Sequence, residues 1–184
     1  MNTLKLRNTL VLLHLYFAAF MAPAFLLVAL SGGLYLIGNK GKVETTSVSL
    51  PQNAALNFKS PTLEDDVRAL LVQSNIEHDF DYVKNRGDVI QLRPTSRTYL
   101  SFTQTSEGLS ATRHEPNLQA GLMELHKGHG PSLFKTYQKL VALTLFGVIF
   151  GGVMVGLLAK AYRRKTIIAL SIGTVTFILI AFVA

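Results

Sequence analysis

The sequence predicts a membrane protein with three transmembrane α-helices and one small α+β domain, in which one helix packs on an antiparallel sheet. All eleven acidic residues lie between Glu44 and Glu124. Outside that region, three long apolar spans are joined by segments whose charged residues are all basic. Apolar residues make up 49% of the chain, and each span approaches or exceeds the roughly twenty helical residues that cross a hydrocarbon core.

The alternation of apolar and polar sequence divides the chain into six segments. We predict a cytoplasmic N-terminus at 1–8, helices that span the membrane at 9–37, 132–159 and 167–184, an extracytoplasmic domain at 38–131, and a cytoplasmic loop at 160–166. Residues 38–131 are called the polar domain below. The first span is longer than the apolar region of a signal peptide, which runs about 7–15 residues, so we predict an uncleaved anchor.

The charged residues that flank the spans predict the orientation. Lys5 and Arg7 precede the first span, four basic residues fill the 160–165 loop, and neither segment contains an acid. Because basic loops stay on the cytoplasmic side, the polar domain is expected in the periplasm, with the spans in a bacterial inner membrane. Residues 38–130 carry ten basic residues against eleven acids, a net charge of −1. The overall charge of +7 therefore indicates lipid headgroups rather than nucleic acid as the partner of the basic residues.

Within the polar domain, residues 43–50 are β-prone and 51–61 read as a loop. Thr62 resembles an N-cap with three acids in the following turn, where the helix dipole favours them, and apolar residues at helical spacing predict a helix over 62–75. Alternating runs separated by turn sequences predict strands at 80–84, 89–93, 99–104 and 109–114. A short helix is expected to follow Pro116-Asn117, on which Leu118, Leu122 and Leu125 recur.

Short motifs at the ends of the spans indicate a family. Leu13-His14 opens the first span, Ser31-Gly32-Gly33 closes it, Leu125-His126-Lys127-Gly128 precedes the second, and Gly151-Gly152 lies near the end of the second. This pattern resembles the PepSY-associated transmembrane family. The resemblance implies an outward PepSY-like domain and a respiratory or iron-handling context, since some members look like haem-bearing reductases of iron–siderophore uptake. This chain departs from larger members, because it has three spans and no histidine in the second or third.

Three histidines are candidate ligands of a haem b. His14 is an ionisable residue inside a membrane helix, which is costly without a role, and His126 and His129 are three residues apart near the second span. The alternatives are an interfacial His14 that reaches the headgroups and a solvated pair in a glycine-rich link. From His14 to residue 33 is nineteen residues, or roughly 28 Å of helix. His14 and His126 are therefore expected on opposite sides of the bilayer, and a bis-histidine haem would require a second copy or a partner.

Small residues form several helix faces that could pack closely against other helices, since small side chains mark contact faces in lipid. On the first span they share a stripe with His14: Ala18, Ala22, Ala29 and Gly33. The second span has two faces, one with Gly147 and Gly151 and another with Gly152 and Gly156, and the third span carries Gly173. The sequence leaves open which face of the second span points outward. It favours other membrane subunits as partners, with a homo-oligomer as the alternative.

No catalytic motif is present, and the absence of cysteine excludes disulfides and thiolate metal sites. His78 and His114 have acids nearby, so they are weighed as a metal site against an ordinary charged surface. We therefore expect a non-catalytic accessory or assembly subunit of a larger inner-membrane complex. A haem b electron-transfer protein and a periplasmic sensor or inhibitor are the alternatives, and the redox context depends on the family resemblance alone.

Overall fold

The computed structural model describes residues Thr3–Val183, and this part of the chain contains five helices and five strands. In chain order they are α1 (Thr3–Leu36), β1 (Val43–Val48), α2 (Leu63–Gln73), β2 (Tyr82–Asn85), β3 (Val89–Arg93), β4 (Tyr99–Thr105), β5 (Gly108–Pro116), α3 (Leu118–His126), α4 (Ser132–Leu158) and α5 (Arg163–Phe182). The predicted combination of three long apolar helices with an antiparallel sheet is confirmed.

Helices α1, α4 and α5 are long and apolar enough to cross a membrane by length and composition. Two of them begin earlier than the apolar spans do, α1 at Thr3 and α5 at Arg163. The reason is that basic residues such as Lys5 and Arg164 are good helix formers, so helical hydrogen bonding continues through charged sequence. The apolar span therefore marks the part of a helix that suits lipid, while the helix itself is longer.

The strands form one antiparallel sheet in the order β1-β5-β4-β3-β2. Helix α2 covers one face of it, because its apolar residues recur at helical spacing and meet the alternate residues of the strands. The resulting core contains Leu63, Val67, Leu70 and Leu71 of α2 against Ile90, Leu92, Leu100, Phe102 and Ala111 of the sheet. The predicted and observed strand limits differ by at most two residues at either end, as at β2, which begins at Tyr82 rather than Phe80. Phe80 itself is buried in this core.

Thr62 precedes α2 as expected, but its side chain does not cap the helix. The hydroxyl donates to the Asp66 carboxylate at 3.3 Å and lies 2.9 Å from the Ser60 hydroxyl. It is therefore not directed at the free backbone N–H groups of the first turn. The acids of that turn remain favourable there, because the positive end of the helix dipole attracts them.

The second face of the sheet is polar and lies under α3. Because side chains alternate along a strand, Gln91, Arg93, Tyr99 and Ser101 point away from the α2 core. Arg93 and Ser101 are buried on this face. A charged side chain buried on a sheet needs a partner. We therefore expect a cluster of interacting polar side chains on this face.

By their internal contacts the residues fall into two compact units, each described by itself. One comprises residues 25–138, which is the polar domain with the adjoining ends of α1 and α4. The other comprises the rest of α1 and α4 together with α5. In that second unit, every described residue of α5 beyond Thr166 is exposed.

Candidate functional site

Ser31 ties α1 to α3 within the larger unit. Its side chain is completely buried, and its hydroxyl donates to the Leu27 carbonyl at 2.7 Å. The same oxygen lies 3.0 Å from Nδ1 of His126. Since the hydroxyl proton is directed to Leu27, the imidazole supplies the proton of the second hydrogen bond. His126 is therefore held as the tautomer with its proton on Nδ1.

The glycine after Ser31 makes room for this ring. A Cβ on Gly32 would lie 3.4 Å from Cε1 of His126, in close van der Waals contact with the ring. Gln119 strengthens the junction, because its amide donates to the carbonyls of Ser31 at 3.4 Å and Asn39 at 3.2 Å. The Ser31-Gly32 and Leu125-His126 motifs thus form one contact, in which a histidine lies over a glycine.

His14 makes a similar contact in the other unit. Its Nδ1 lies 3.0 Å from the Val148 carbonyl of α4. A Cβ on Gly152 would lie only 3.1 Å from Cε1 of the ring. Because a carbonyl only accepts hydrogen bonds, Nδ1 of His14 carries the proton. The ring is half-buried between α1 and α4 rather than extended into solvent.

The small residues of the first span divide between contact and exposure. Ala18 is half-buried, and one turn further Met21 is fully buried and accepts a hydrogen bond from the Thr144 hydroxyl of α4. Ala22, Ala29 and Gly33 are exposed, so they lie outside the face that α1 presents to its own chain. In one unit α1 contacts α4 through His14 and Met21, and in the other unit it contacts α3 through Ser31.

The two small faces of α4 also differ. A Cβ on Gly152 would meet His14, and one on Gly156 would lie 2.3 Å from the Thr166 hydroxyl oxygen. At Gly147 and Gly151 an added Cβ would meet nothing within 4 Å among the described residues, and the same holds for Gly173 of α5. The chain's own contacts therefore use the Gly152–Gly156 face and leave the Gly147–Gly151 face open.

His129 belongs to a charged cluster centred on Glu124. Oε2 of Glu124 accepts hydrogen bonds from His129 Nδ1 at 2.7 Å and from the Thr95 hydroxyl at 2.6 Å. Lys127 donates to Oε1 at 3.2 Å. Burial alone would raise the pKa of Glu124, but the hydrogen bonds from Thr95, His129 and Lys127 together hold this pKa below its ordinary value. Glu124 is therefore an ionised anchor.

Arg93 is the buried member of the same cluster. Its side chain is 3% exposed, and Nη1 lies 3.7 Å from Glu124 Oε2. Nη1 also donates to the Thr95 hydroxyl at 2.6 Å, so Thr95 links the cation to the carboxylate. Nη2 donates to Gln91 at 3.3 Å, while Nε has no hydrogen-bond partner. The sequence analysis did not predict this cluster. The available signal was Arg93, a charged residue at a strand position that faces a covering helix.

Tyr99 and His114 stack at the far side of this face. Their rings are 4.5 Å apart and nearly parallel, and His114 Nε2 lies 2.8 Å from the Ser101 hydroxyl. Burial lowers the pKa of His114. For Tyr99, burial first and then the charge of Glu124 raise the pKa, so the phenol stays protonated. His78, the other histidine weighed as a metal ligand, also has a lowered pKa, mainly through burial.

The three histidines named as haem candidates are distributed over the two compact units. No group of three or more His, Asp or Glu residues that could hold a metal ion occurs among the described residues. His14 is the one histidine of its unit, whereas His126 and His129 belong to the other unit. The Nδ1 atoms of all three are engaged, which leaves Nε2 as the nitrogen that could bind iron.

Asp81 connects the polar domain to the start of α4. One carboxylate oxygen accepts from the Ser132 backbone N–H at 2.7 Å and from its hydroxyl at 2.8 Å. These two hydrogen bonds are the main cause that lowers the pKa of Asp81. A negative charge at a helix N-terminus also meets the favourable end of the dipole. Asp81 therefore fixes the point at which the chain enters the second apolar helix.

Comparison with known proteins gives no further guide to the site. No family model, no curated protein and no solved structure matches the chain.

Proposed function

We propose that the protein is a non-catalytic accessory or assembly subunit of a larger inner-membrane complex, which it joins by lateral helix contacts. The observation that carries this proposal is the unequal use of the two small faces of α4. Gly152 and Gly156 contact the protein's own chain, whereas Gly147 and Gly151 face open space. Lipid provides no hydrophobic drive for helix pairing, so a close-packing face is useful only when another helix approaches it.

The exposure of α5 supports the same proposal. From Ile167 onward its described residues are all exposed, and Gly173 has open space beside it. All three apolar helices therefore offer surface that the described chain does not cover, since Ala22, Ala29 and Gly33 of α1 are exposed as well. The partners proposed are other membrane subunits, and a second copy of this chain is the alternative that the experiment separates.

The cellular setting is proposed from charge and motif. The acid-free basic segments favour a cytoplasmic N-terminus and a periplasmic polar domain, and the motifs around His14 and His126 resemble the PepSY-associated transmembrane family. A respiratory or iron-handling complex is proposed on that resemblance alone.

The experiment is co-purification in mild detergent with the variants Gly147→Leu and Gly151→Leu. Each adds a bulky side chain to the open face, so partner subunits should be lost while the protein still inserts. Ala142→Leu is the matched control, because Ala142 is exposed on α4 at nearly the opposite side from Gly151. It adds the same kind of bulk without touching the proposed contact.

The outcomes separate the proposals. Loss of partners in both glycine variants, with retention in Ala142→Leu, supports the accessory-subunit proposal. Retention of all partners in both glycine variants would refute lateral association through this face. If the wild-type protein has no partner other than itself, the homo-oligomer replaces the complex. A stoichiometric Soret band from the purified chain would instead favour the haem b alternative.

A further inference from the structure

A cavity of about 320 Å³ lies between α3 and the polar face of the sheet. It is lined by residues of the segment after α1, of the sheet and its β2–β3 turn, and of α3 and the residues that follow it, including Lys40, Arg86, Arg93, Tyr99, Glu124 and Lys127. Every one of these residues belongs to the larger compact unit. The cavity is distinct from the open face of α4 on which the proposed function depends.

The cavity wall is strongly positive. Lys40, Arg86, Arg93 and Lys127 supply four positive charges against the single carboxylate of Glu124, an excess of three before His129 is counted. The basic balance of the whole chain does not cause this excess, since residues 38–130 carry a net charge of −1. Basic side chains are therefore concentrated at this one place, since the rest of the same range carries six basic residues against ten acids.

Glu124, the one acid among the residues that line the cavity, already accepts three hydrogen bonds. Oε2 of Glu124 accepts from Thr95 and His129, and Oε1 accepts from Lys127. These contacts neutralise one of the four cations, but they do not involve Lys40 or Arg86. In the described part of the chain, neither of those two residues has an acid within ion-pair distance.

Arg93 lines the cavity and is the most deeply buried of its four cations. Its side chain is 97% buried, yet its Nε has no hydrogen-bond partner. A buried polar group without a partner is costly, and arginine presents several donors in a planar fork that matches oxyanions. The orientation of this side chain is fixed by Thr95 and Gln91, so the fork is pre-arranged.

We propose that the cavity binds a phosphate group, with Lys40 and Arg86 at its rim and the buried Arg93 in its wall. A phosphate carries enough acceptor oxygens and enough charge to meet several cations at once, whereas a single carboxylate does not. The ligand is either a free phosphate or the phosphodiester of an anionic lipid headgroup. The lipid source is included because Lys40 lies four residues beyond Leu36, the last residue of the apolar helix α1, and basic residues at such positions meet anionic headgroups.

The test uses the full chain and the double variant Lys40→Ala/Arg86→Ala. Both residues are exposed, so the fold should survive. The matched control is Lys59→Ala/Lys84→Ala, which removes the same charge from two exposed positions of the polar domain that do not line the cavity. Inorganic phosphate is titrated by calorimetry into protein in phosphatidylcholine nanodiscs. In parallel, native mass spectrometry measures retention of phosphatidylglycerol from nanodiscs that contain both lipids.

The rim variant should weaken binding roughly a hundredfold, because it removes two charge-assisted contacts that are each worth about a factor of ten. The control should bind like the wild type. Inorganic phosphate binding identifies a soluble ligand, and selective retention of phosphatidylglycerol identifies a lipid. The proposal is overturned if neither probe binds the wild type, or if the control loses as much affinity as the rim variant. Neither result bears on the glycine variants of α4, so the two proposals fail separately.

Discussion

Substitution of Glu124 by Leu should destabilise the polar domain strongly, and adding Arg93→Met should largely restore it. The single change leaves the guanidinium of Arg93 buried without a counter-charge, since its side chain is only 3% exposed. Removal of one partner from a buried pair costs roughly 3–5 kcal/mol, while replacement of both by apolar residues of similar volume is often neutral. Because the Glu124 side chain is 24% exposed, water screens part of the effect, and we expect about 3 kcal/mol.

Hydrogen exchange measured by mass spectrometry on the full chain in detergent tests this expectation. The amides of β3 and β4 report the opening of the polar domain, and a loss of about 3 kcal/mol accelerates their exchange roughly a hundredfold. Glu115→Leu is the control, because the Glu115–Arg113 pair is half-exposed and such pairs contribute about 1 kcal/mol or less. If the double variant exchanges as fast as Glu124→Leu, the buried-pair reasoning is wrong.

The remaining predictions concern acid sensitivity, topology and the histidine contacts. Since the folded-state pKa of Glu124 is depressed, its stabilisation is present above the ordinary value of 4.5 and lost as pH falls through the folded value; Glu124→Gln should flatten that part of a stability–pH curve. The lowered pKa of His114 means that the unfolded chain binds protons first, so stability falls below pH 6.5, and His114→Gln should reduce this fall. Externally added maleimide should label Thr46→Cys and spare Arg164→Cys in intact spheroplasts; the opposite pattern would refute the orientation. Gly152→Leu should raise protease sensitivity of the purified chain, because it displaces a ring that bonds to α4.

Most elements of the polar domain could be predicted because their signals are local. Apolar residues at helical spacing give α2, and alternation with turn sequences gives the hairpins, since both patterns depend on the period of the backbone. Helix limits were less accurate because hydrogen bonding continues through Lys5 and Arg164, while an apolar span ends at the first charge. Thr62 was identified by position, but whether its hydroxyl caps the helix depends on its competing contact with Asp66.

The candidate site was harder to predict because it is assembled across the chain. Arg93 and Glu124 are 31 residues apart, and only the docking of α3 on the polar face of the sheet brings them together. The face of α4 that points outward was also undetermined, since both pairs of glycines have the same spacing. It is the contacts of His14 and Thr166 with the second pair that distinguish them.

His14 and His126, the histidines of the two leucine-histidine motifs, each have a structural role that does not require a cofactor. Each ring lies against a glycine and bonds through Nδ1 to a helix of the same unit, His126 beside Gly32 and His14 beside Gly152. An aliphatic residue in either place would fill the space but leave the polar atom that it faces with one hydrogen bond fewer. An imidazole ring fills the space beside the glycine and also donates a hydrogen bond. Both properties suit a contact between helices in lipid, where the hydrophobic effect does not draw helices together. In this chain both leucine-histidine pairs therefore serve the docking of one helix on another.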